Sequence, residues 1–320
     1  MIVVRSIDDI PAGLPSTVAT IGNFDGVHLG HQEIFRRVLA TAAALNGTSV
    51  VITFEPHPLT VVPSTRQISL ITTTTEKEAL IAAAGIDCLV IIPFTREFAQ
   101  RSAREFVAEV LVQRLGVRTI IIGYDYAFGR NREGGTTLLS ELGREFGFEV
   151  EVLLPIGDGG HIFSSSEIRR MVREGEVNRV VPLLGRHFSL GGRVVHGHGR
   201  GKVLGFPTAN VVSDHELIPA DGVYAVKVLI AATLFDGACN IGTKPTFGEE
   251  ARTIEVFLFN FDDVLYGREL RIFFIERLRG ETAYPDAEAL RCAIASDVIR
   301  CREILGATIL RDGLLYREAA

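Results

Sequence analysis

The sequence has few cysteines, and no two of them are spaced as a redox or zinc pair. The four cysteines, Cys88, Cys239, Cys292 and Cys301, form no CxxC motif and are scattered over apolar or helical segments. Zinc sites use clustered cysteines and histidines at short spacings, which this sequence lacks. We therefore expect reduced, buried thiols and no zinc.

Long apolar runs and an excess of positive charge are also missing. No run reaches the 18 or so apolar residues of a membrane span, and the start, MIVVRSIDDIP, has no basic segment followed by an apolar one. The formal net charge is -6, with both signs mixed along the chain. We expect a cytoplasmic protein, monomeric or weakly homo-oligomeric, with no nucleic-acid and no membrane partner.

Two common nucleotide-binding loops are absent. The stretch GHGRGK continues with Val203 where a P-loop needs Ser or Thr, and no GxGxxG follows the first predicted strand. These absences exclude a P-loop enzyme and disfavour hydride transfer on a dinucleotide-binding fold.

The length and composition of the chain indicate two globular domains, because it has 320 residues, 47% of them apolar and 22% charged. In the first half, short β-branched runs alternate with helical stretches, which predicts an α/β domain with a parallel sheet over residues 1–184. A helix is predicted over residues 33–45. The predicted strands are STVATIG, TSVVITF, DCLVIIPF, VRTIIIGYD and FEVEVLLP.

Near residue 185 the pattern changes to glycine-rich turns and short alternating strands. This pattern predicts a small antiparallel β-barrel over residues 185–320. After Pro285 an amphipathic stretch predicts a C-terminal helix on the outside of the barrel, with Asp286 as its N-cap.

The stretch GNFDGVHLGHQ places His28 and His31 just before the first predicted helix. Free backbone N-H groups and the helix dipole favour an anion there, and Gly26 and Gly30 leave room for a nucleotide. A phosphate site is the functional interpretation, and packing of the histidines in the core is the alternative. Two further loops, FEPHP and GYDYAFGRNREGG, follow predicted strands and should converge on the same crevice.

A second group, FSSSEIRRMV, offers Ser164, Ser165 and Arg169 at a helix start. By itself it suggests an N-cap with solvated arginines. Beside the histidines, the hydroxyls, amides and guanidinium suit a nucleoside triphosphate that loses pyrophosphate. A phosphate nucleophile is already anionic, so such a site needs positioning and positive charge rather than a general base.

In the second half, GFPTAN places Thr208 and Asn210 on one side of an extended segment. They could hold a cation or phosphate, or form a polar barrel edge. Glu255 lies among apolar residues of TIEVFLFNF, so an inward-facing carboxylate would need a salt bridge or a catalytic role as the base for an alcohol that attacks ATP. The glycine-rich HGHGRGKVLG could wrap a diphosphate, or be a flexible loop.

Together, GNFDGVHLGHQ, TFEPHP, GYDYAFG and SSSEIR resemble the adenylyltransferase module of prokaryotic bifunctional riboflavin kinase/FAD synthetases, in the HxGH nucleotidyltransferase superfamily. GFPTAN, GVYAV, NIGTKPTF and LYG resemble the riboflavin kinase barrel of the same family. The resemblance covers nearly the whole chain. It implies a Rossmann-like first domain, conversion of riboflavin and ATP to FMN and ADP in the barrel, conversion of FMN and ATP to FAD and pyrophosphate in the first domain, and magnesium.

The resemblance also implies residue roles. It gives catalytic roles to His28, His31, Arg169 and Glu255, and metal binding to Thr208 and Asn210. It assigns the binding of ATP, flavin or phosphate groups to Gly22, Asn23, Phe24, Asp25, Phe54, Pro56, His57, Asp125, Phe128, Ser164, Ser165, Gly199, Gly201, Lys202, Gly205, Pro207, Thr208 and Asn210. The sequence departs from the family pattern at Glu167, His198 and LRGETAY.

Two other functions compete with this interpretation. An adenylyltransferase for pantetheine or nicotinate nucleotides would share the HxGH motif, but the GFPTAN barrel disfavours it. A non-catalytic flavin-binding regulator could keep the fold, but it would need neither Glu255 as a base nor a triphosphate site.

Overall fold

The computed structural model describes residues 1–62, 68–158, 161–197, 201, 205–246 and 249–311. The chain divides into two compact units, Met1–Ser164 and Ser165–Ala320.

The first unit contains a six-stranded sheet in which all neighbouring strands are parallel. The strand order is β1-β4-β3-β2-β5-β6, and a separate hairpin joins β7 and β8. The strands are Ile2–Val4 (β1), Thr17–Ile21 (β2), Ser49–Glu55 (β3), Cys88–Pro93 (β4), Val117–Gly123 (β5), Glu149–Leu153 (β6), Gly157–Asp158 (β7) and His161–Ile162 (β8).

The five predicted strands correspond to β2 to β6, so the parallel α/β prediction is confirmed. Central strands are buried on both faces: Val50, Val51 and Ile52 are each 0% exposed. Because both faces are covered, their sequences are continuous apolar runs. The prediction omitted β1, an edge strand of three residues that is too short to show a period.

Helices flank this sheet. They are Leu29–Ala44 (α1), Pro58–Val61 (α2), Thr74–Ala83 (α3), Ala103–Phe106 (α4), which continues as a π-helix over Val107–Arg114, and Thr136–Phe146 (α5). Short 3-10 turns occupy Ile7–Asp9, Phe98–Gln100 and Arg130–Arg132. Helix α1 begins at Leu29, ahead of the predicted start at Glu33, because its first turn is capped by His28 rather than marked by apolar periodicity.

The second unit is a closed antiparallel barrel with the strand order β10-β13-β12-β11-β14-β9. It closes because β9 pairs with both β14 and β10. The predicted small barrel is therefore confirmed. Its strands are Ser189–Val195 (β9), Ala209–Val212 (β10), Gly222–Ile230 (β11), Thr233–Thr246 (β12), Glu249–Leu258 (β13) and Glu269–Arg279 (β14).

Helical segments cover this barrel: Ser165–Glu174 (α6), a 3-10 turn at Val177–Val180, Val181–Leu184 (α7) and Ala287–Gly306 (α8). The predicted C-terminal helix is α8, and the Asp286 carboxylate accepts a hydrogen bond from the Ala289 N-H at 2.8 Å. Among the described residues, no helix combines the length and the hydropathy that a bilayer crossing requires.

Helix α6 belongs to the second unit because it is tied to the barrel through its backbone. The Arg277 guanidinium donates to the Glu174 carbonyl at 3.3 Å, and the Ala220 N-H donates to the Val172 carbonyl at 3.3 Å. The sequence placed the domain boundary later, between residues 184 and 185, where the composition changes.

All four cysteines are free thiols, as expected. Cys88, Cys239 and Cys301 are buried, and burial raises the pKa of each thiol. The expectation of burial was wrong for Cys292, which is exposed on α8 near Glu288.

Candidate functional site

The loop between β2 and α1 brings the two histidines of the HxGH motif together. His28 is the N-cap of α1, and its Nδ1 accepts a hydrogen bond from the His31 N-H at 3.4 Å. The two rings stack with centroids 3.6 Å apart. Because Nδ1 is an acceptor, the proton of the neutral His28 ring is on Nε2, which makes Nε2 a donor suited to a phosphate oxygen.

Gly30 leaves room for this stack. A Cβ atom at position 30 would lie 3.0 Å from the Cε1 atom of His28, closer than ordinary contacts. On the other side, the Phe24 ring meets the His31 ring edge-on at 5.2 Å. The histidines are therefore fixed between a glycine and a buried phenylalanine at the N-terminus of a 16-residue helix, where the dipole favours an anion.

Asp25 anchors the same loop. Its buried carboxylate accepts hydrogen bonds from the N-H groups of Ile71 and Thr72 at 3.0 and 3.2 Å, and the Gly26 N-H donates to the Thr72 hydroxyl at 3.1 Å. The Asp25 carboxylate also accepts from the Thr72 hydroxyl at 3.3 Å, and its predicted place beside the phosphates stays a prediction. Gly22 is held by its N-H, which donates to the Ile52 carbonyl at 3.1 Å.

Lys77 on α3 also reaches this loop, and the sequence analysis did not identify it. Its ammonium donates to the Thr53 hydroxyl at 3.3 Å and to the Asn23 carbonyl at 3.5 Å. Lys77 is only 7% exposed, and burial lowers its pKa. The available signal was a lone lysine in the helical stretch TEKEAL, which by itself indicates a solvated helix face.

The residues predicted to contact flavin lie at or near the carboxyl ends of β3 and β5. Phe54 meets the Phe94 and Phe98 rings at centroid distances of 5.5 and 6.2 Å, and Phe128 stacks on Tyr126 at 5.4 Å. Phe98 and Phe128 both contact the Phe106 ring, so the two loops join in one aromatic row. Phe54 and Phe128 therefore belong to one aromatic row, and the convergence of their loops on one crevice stays a prediction.

The other three residues of these loops have different environments. Pro56 is exposed, His57 is 6% exposed and caps α2 by accepting from the Leu59 N-H at 3.2 Å, and Asp125 is exposed. His57 therefore has a structural bond of its own.

The SSSEIR motif begins α6. Ser164 is the last residue of the first unit, whereas Ser165 and Arg169 lie on α6 and belong to the second. Arg169 is 8% exposed. Their predicted contacts with ATP stay predictions.

In the barrel, Thr208 and Glu255 are in direct contact: the Thr208 hydroxyl donates to the Glu255 carboxylate at 3.1 Å. Asn210 on β10 pairs with Glu255 on β13, which pairs with Asn240 on β12. Residues paired directly across antiparallel strands point to the same face of the sheet. The register therefore forms a polar row of two amides and one carboxylate, in which Asn240 is a member that the sequence analysis did not identify.

Glu255 faces outwards from the barrel. Its neighbours Ile254 and Val256 are 6% and 1% exposed, whereas Glu255 is partly exposed. Phe257, two residues on and on the same face, packs in the cluster formed with Cys301 of α8. The carboxylate is thus on the outer face of the barrel, so the condition of an inward-facing carboxylate considered from the sequence does not apply.

The structure describes part of the loop that precedes β10. The Phe206 N-H donates to the Gly201 carbonyl at 2.9 Å, Gly205 has φ of +85°, and Pro207 is exposed. The predicted binding residues Gly199 and Lys202 lie outside the described residues.

Within the described ranges, no group of three His, Cys, Asp or Glu side chains is placed to hold a metal ion. The polar row offers oxygen donors instead: the Thr208 hydroxyl, the Asn210 amide and the Glu255 carboxylate. Oxygen donors that leave room for phosphate oxygens and water suit Mg²⁺.

Comparison with known proteins gives two family matches. The FAD synthetase family model matches residues 11–167, and the riboflavin kinase family model matches residues 184–305. A relative from Escherichia coli K12, a bifunctional riboflavin kinase/FMN adenylyltransferase, is 35% identical over 292 residues, which is 91% of this chain and 93% of the relative. A relative of the same description from Pseudomonas fluorescens is 36% identical over 306 residues, 95% of this chain and 98% of the relative.

A solved structure from Streptococcus pneumoniae, titled a macrolide-efflux protein, has a TM-score of 0.86 and 30% identity to this chain. The match covers 94% of this chain and 98% of that one. The fold of this chain is therefore shared with an experimental structure.

Proposed function

The chain belongs to the family of bifunctional riboflavin kinase/FMN adenylyltransferases, and from this premise we propose which residues carry its two reactions. The C-terminal domain phosphorylates riboflavin to FMN with ATP, and the N-terminal domain adenylylates FMN to FAD with release of pyrophosphate. The observation that carries the proposal is the placement of the two motif sets: the stacked histidines lie in the first unit and the Thr208–Glu255 pair in the second.

In the adenylylation, a phosphate oxygen of FMN attacks the α-phosphorus of ATP, and pyrophosphate leaves as the bond to the bridging oxygen breaks. His28 and His31 donate to phosphate oxygens at the start of α1, supported by the first-turn amides and the helix dipole. Ser164, Ser165 and Arg169 add hydroxyl donors and positive charge, as the family resemblance implies. No residue needs to remove a proton, because the nucleophile is an anion.

In the same unit we propose that Gly22, Asn23, Phe24 and Asp25 shape the phosphate loop. The flavin is held by the residues that the resemblance assigns to it: Phe54, Pro56, His57, Asp125 and Phe128. The aromatic row that includes Phe54 and Phe128 supports this assignment, since aromatic side chains stack on planar rings.

In the kinase reaction, Glu255 accepts the proton of the primary hydroxyl of riboflavin as that oxygen attacks the γ-phosphorus of ATP. The bond from this phosphorus to the bridging oxygen breaks, and ADP leaves with the electron pair. Thr208 and Asn210 would hold Mg²⁺, which would offset the negative charge of the phosphates. Asn240 adds a second amide beside Glu255, and Gly199, Gly201, Lys202, Gly205 and Pro207 form the phosphate loop.

We further propose that the enzyme works in the cytoplasm, as a monomer or weak homo-oligomer, without a nucleic-acid or membrane partner. The mixed charge of the sequence supports this.

Selective loss of one activity tests the assignment. Glu255→Gln should lower FMN formation by about 100- to 10,000-fold, because it removes the base, while FMN supplied directly is still converted to FAD. His28→Ala or His31→Ala should do the reverse. The measurement is chromatographic separation of flavins after incubation with riboflavin or FMN, ATP and magnesium.

Glu255→Gln and the histidine variants serve as controls for each other, because each is expected to keep the activity that the other loses. Loss of both activities in a folded Glu255→Gln protein would refute the assignment of two sites. A His31→Ala protein that makes FAD at the parental rate would remove that histidine from the mechanism.

A further inference from the structure

Lys77 is a buried cation beneath the loop that carries the HxGH histidines. It is 7% exposed, and its ammonium lies 3.3 Å from the Thr53 hydroxyl and 3.5 Å from the Asn23 carbonyl. The Thr53 hydroxyl in turn donates to the Asn23 carbonyl at 3.2 Å. Lys77, Thr53 and Asn23 therefore form a closed triangle that joins α3, β3 and the first residues after β2.

Both acceptors in this triangle are neutral. Burial lowers the pKa of Lys77, and the charges of Glu55, Asp25 and Glu78 act in the opposite direction as the weaker influence. Asp25 already accepts hydrogen bonds from backbone N-H groups. A buried ammonium that hydrogen-bonds to neutral groups is costly, and a structural role alone would be served by an uncharged side chain.

The position of the Lys77 ammonium suggests a role in the binding of a ligand. Thr53 is near the carboxyl end of β3, and Asn23 follows the carboxyl end of β2, which is the edge of a parallel sheet where ligands bind. From Asn23 the chain continues through Phe24, which contacts His31, to His28 at the start of α1. A negatively charged ligand at the histidines would offset the charge of the ammonium.

We propose that Lys77 is a positioning residue of the adenylyltransferase site, which fixes the β2–α1 loop through the Asn23 carbonyl and adds positive charge beneath the triphosphate of ATP. The inference rests on the proposed adenylyltransferase site. Lys77 acts through the loop and through its field, and it does not take part in the transfer of the adenylyl group.

Lys77→Met tests the proposal, because methionine keeps the apolar stem and removes the charge and the donors. We expect kcat/KM for ATP in FMN adenylylation to fall by about 10- to 100-fold, as for a loop displaced by about 1 Å, with most of the loss in a raised KM for ATP. A merely structural role would lower the active fraction, and so kcat, without raising this KM. Riboflavin kinase activity should stay at the parental rate and thereby report that the chain is folded.

Lys77→Gln guards against failure of the Met variant to fold, since an amide can still donate to the Asn23 carbonyl but carries no charge. It should raise the KM for ATP by less than Lys77→Met does, because only the charge is lost. Lys227→Met is the matched control, because Lys227 is also poorly exposed but is paired with Asp236 in the barrel. It should leave FAD formation unchanged.

The His28→Ala variant distinguishes a failure of this inference from a failure of the proposed adenylyltransferase site. If His28→Ala loses FAD formation while both Lys77 variants keep the parental KM for ATP, the inference about Lys77 is overturned and the site assignment stands. If His28→Ala and the Lys77 variants all form FAD normally, the site assignment itself fails, and the inference fails with it.

Discussion

Single buried side chains fix the shape of the N-terminal site. Asp25 binds the backbone of residues 71–72, and Lys77 binds the backbone of Asn23 from beneath. The chain takes positive φ at Phe24, between these two contacts, and at Gly26 and Val27, just after them. Positive φ is unfavourable for a residue with a side chain, so the loop depends on such anchors to keep its geometry.

At the scale of single residues, we predict that Asp25→Asn lowers both the stability of the first unit and its activity. An amide group retains one acceptor but places a donor among the N-H groups that now donate to the carboxylate, so we expect the first unit to lose about 1 to 3 kcal/mol of unfolding free energy. FAD formation should fall with it, while FMN formation by the barrel continues. Urea unfolding and the two separate activity assays provide the measurements.

Asp87→Asn is the matched control for this variant. The Asp87 carboxylate also accepts from a backbone N-H, that of Ser49 at 2.9 Å, and from the Ser49 hydroxyl at 2.7 Å. It lies at the amino ends of β3 and β4, away from the predicted ligand edge. It should cost stability without lowering the rate of FAD formation in the folded protein, and equal losses of that rate in both variants would contradict the role given to Asp25.

At the scale of elements, the end of the described chain is tied back to the start of the barrel. The His187 N-H donates to the Arg311 carbonyl at 2.8 Å, and the Arg311 N-H donates to Nδ1 of His187 at 3.1 Å. His187 thereby joins the segment before β9 to the segment after α8. Burial lowers the pKa of His187, and the positive charges of Arg311 and Lys227 lower it further, against a raising effect of the Arg311 carbonyl.

This lowered pKa predicts a loss of barrel stability in acid. The unfolded chain takes up a proton at His187 near pH 6.5, whereas the folded chain does so only at a lower pH. The stability contributed by neutral His187 is therefore present above about pH 6.5 and is lost as the pH falls through the folded pKa. Urea midpoints at pH 7.5 and 5.5 should differ less in His187→Asn than in the parent chain.

His196→Asn serves as the control for this experiment, since His196 is exposed and stacks on Tyr266 at the barrel surface. The parental acid sensitivity should remain in that variant. An unchanged midpoint difference in His187→Asn would show that another group is responsible.

At the scale of the whole molecule, the HxGH histidines lie in the first unit, and the Thr208–Glu255 pair lies in the second. The FMN made in the barrel must therefore reach the first unit. Mixing Glu255→Gln with His28→Ala protein should restore FAD formation from riboflavin, because FMN released by one molecule binds to the other. A mixture that makes FMN but no FAD, although Glu255→Gln alone converts added FMN, would contradict free exchange.

Much of this protein could be predicted from its sequence. The alternation of apolar runs and helical stretches is a local property of the chain, so it predicted β2 to β6, the barrel and the helix after Asp286. The motifs around His28 and Thr208 predicted the family, because their residues are close together in sequence, and the family matches confirmed it.

Only the tertiary structure determined the environment of the single side chains. It placed Lys77 beneath Asn23, from which it is 54 positions away in the chain, and it turned Glu255 to the outer face of the barrel in register with Asn210 and Asn240. Local patterns give the period of a strand, but strand pairing decides which residues are neighbours. The burial of an ammonium also depends on packing between distant elements, which no local pattern contains.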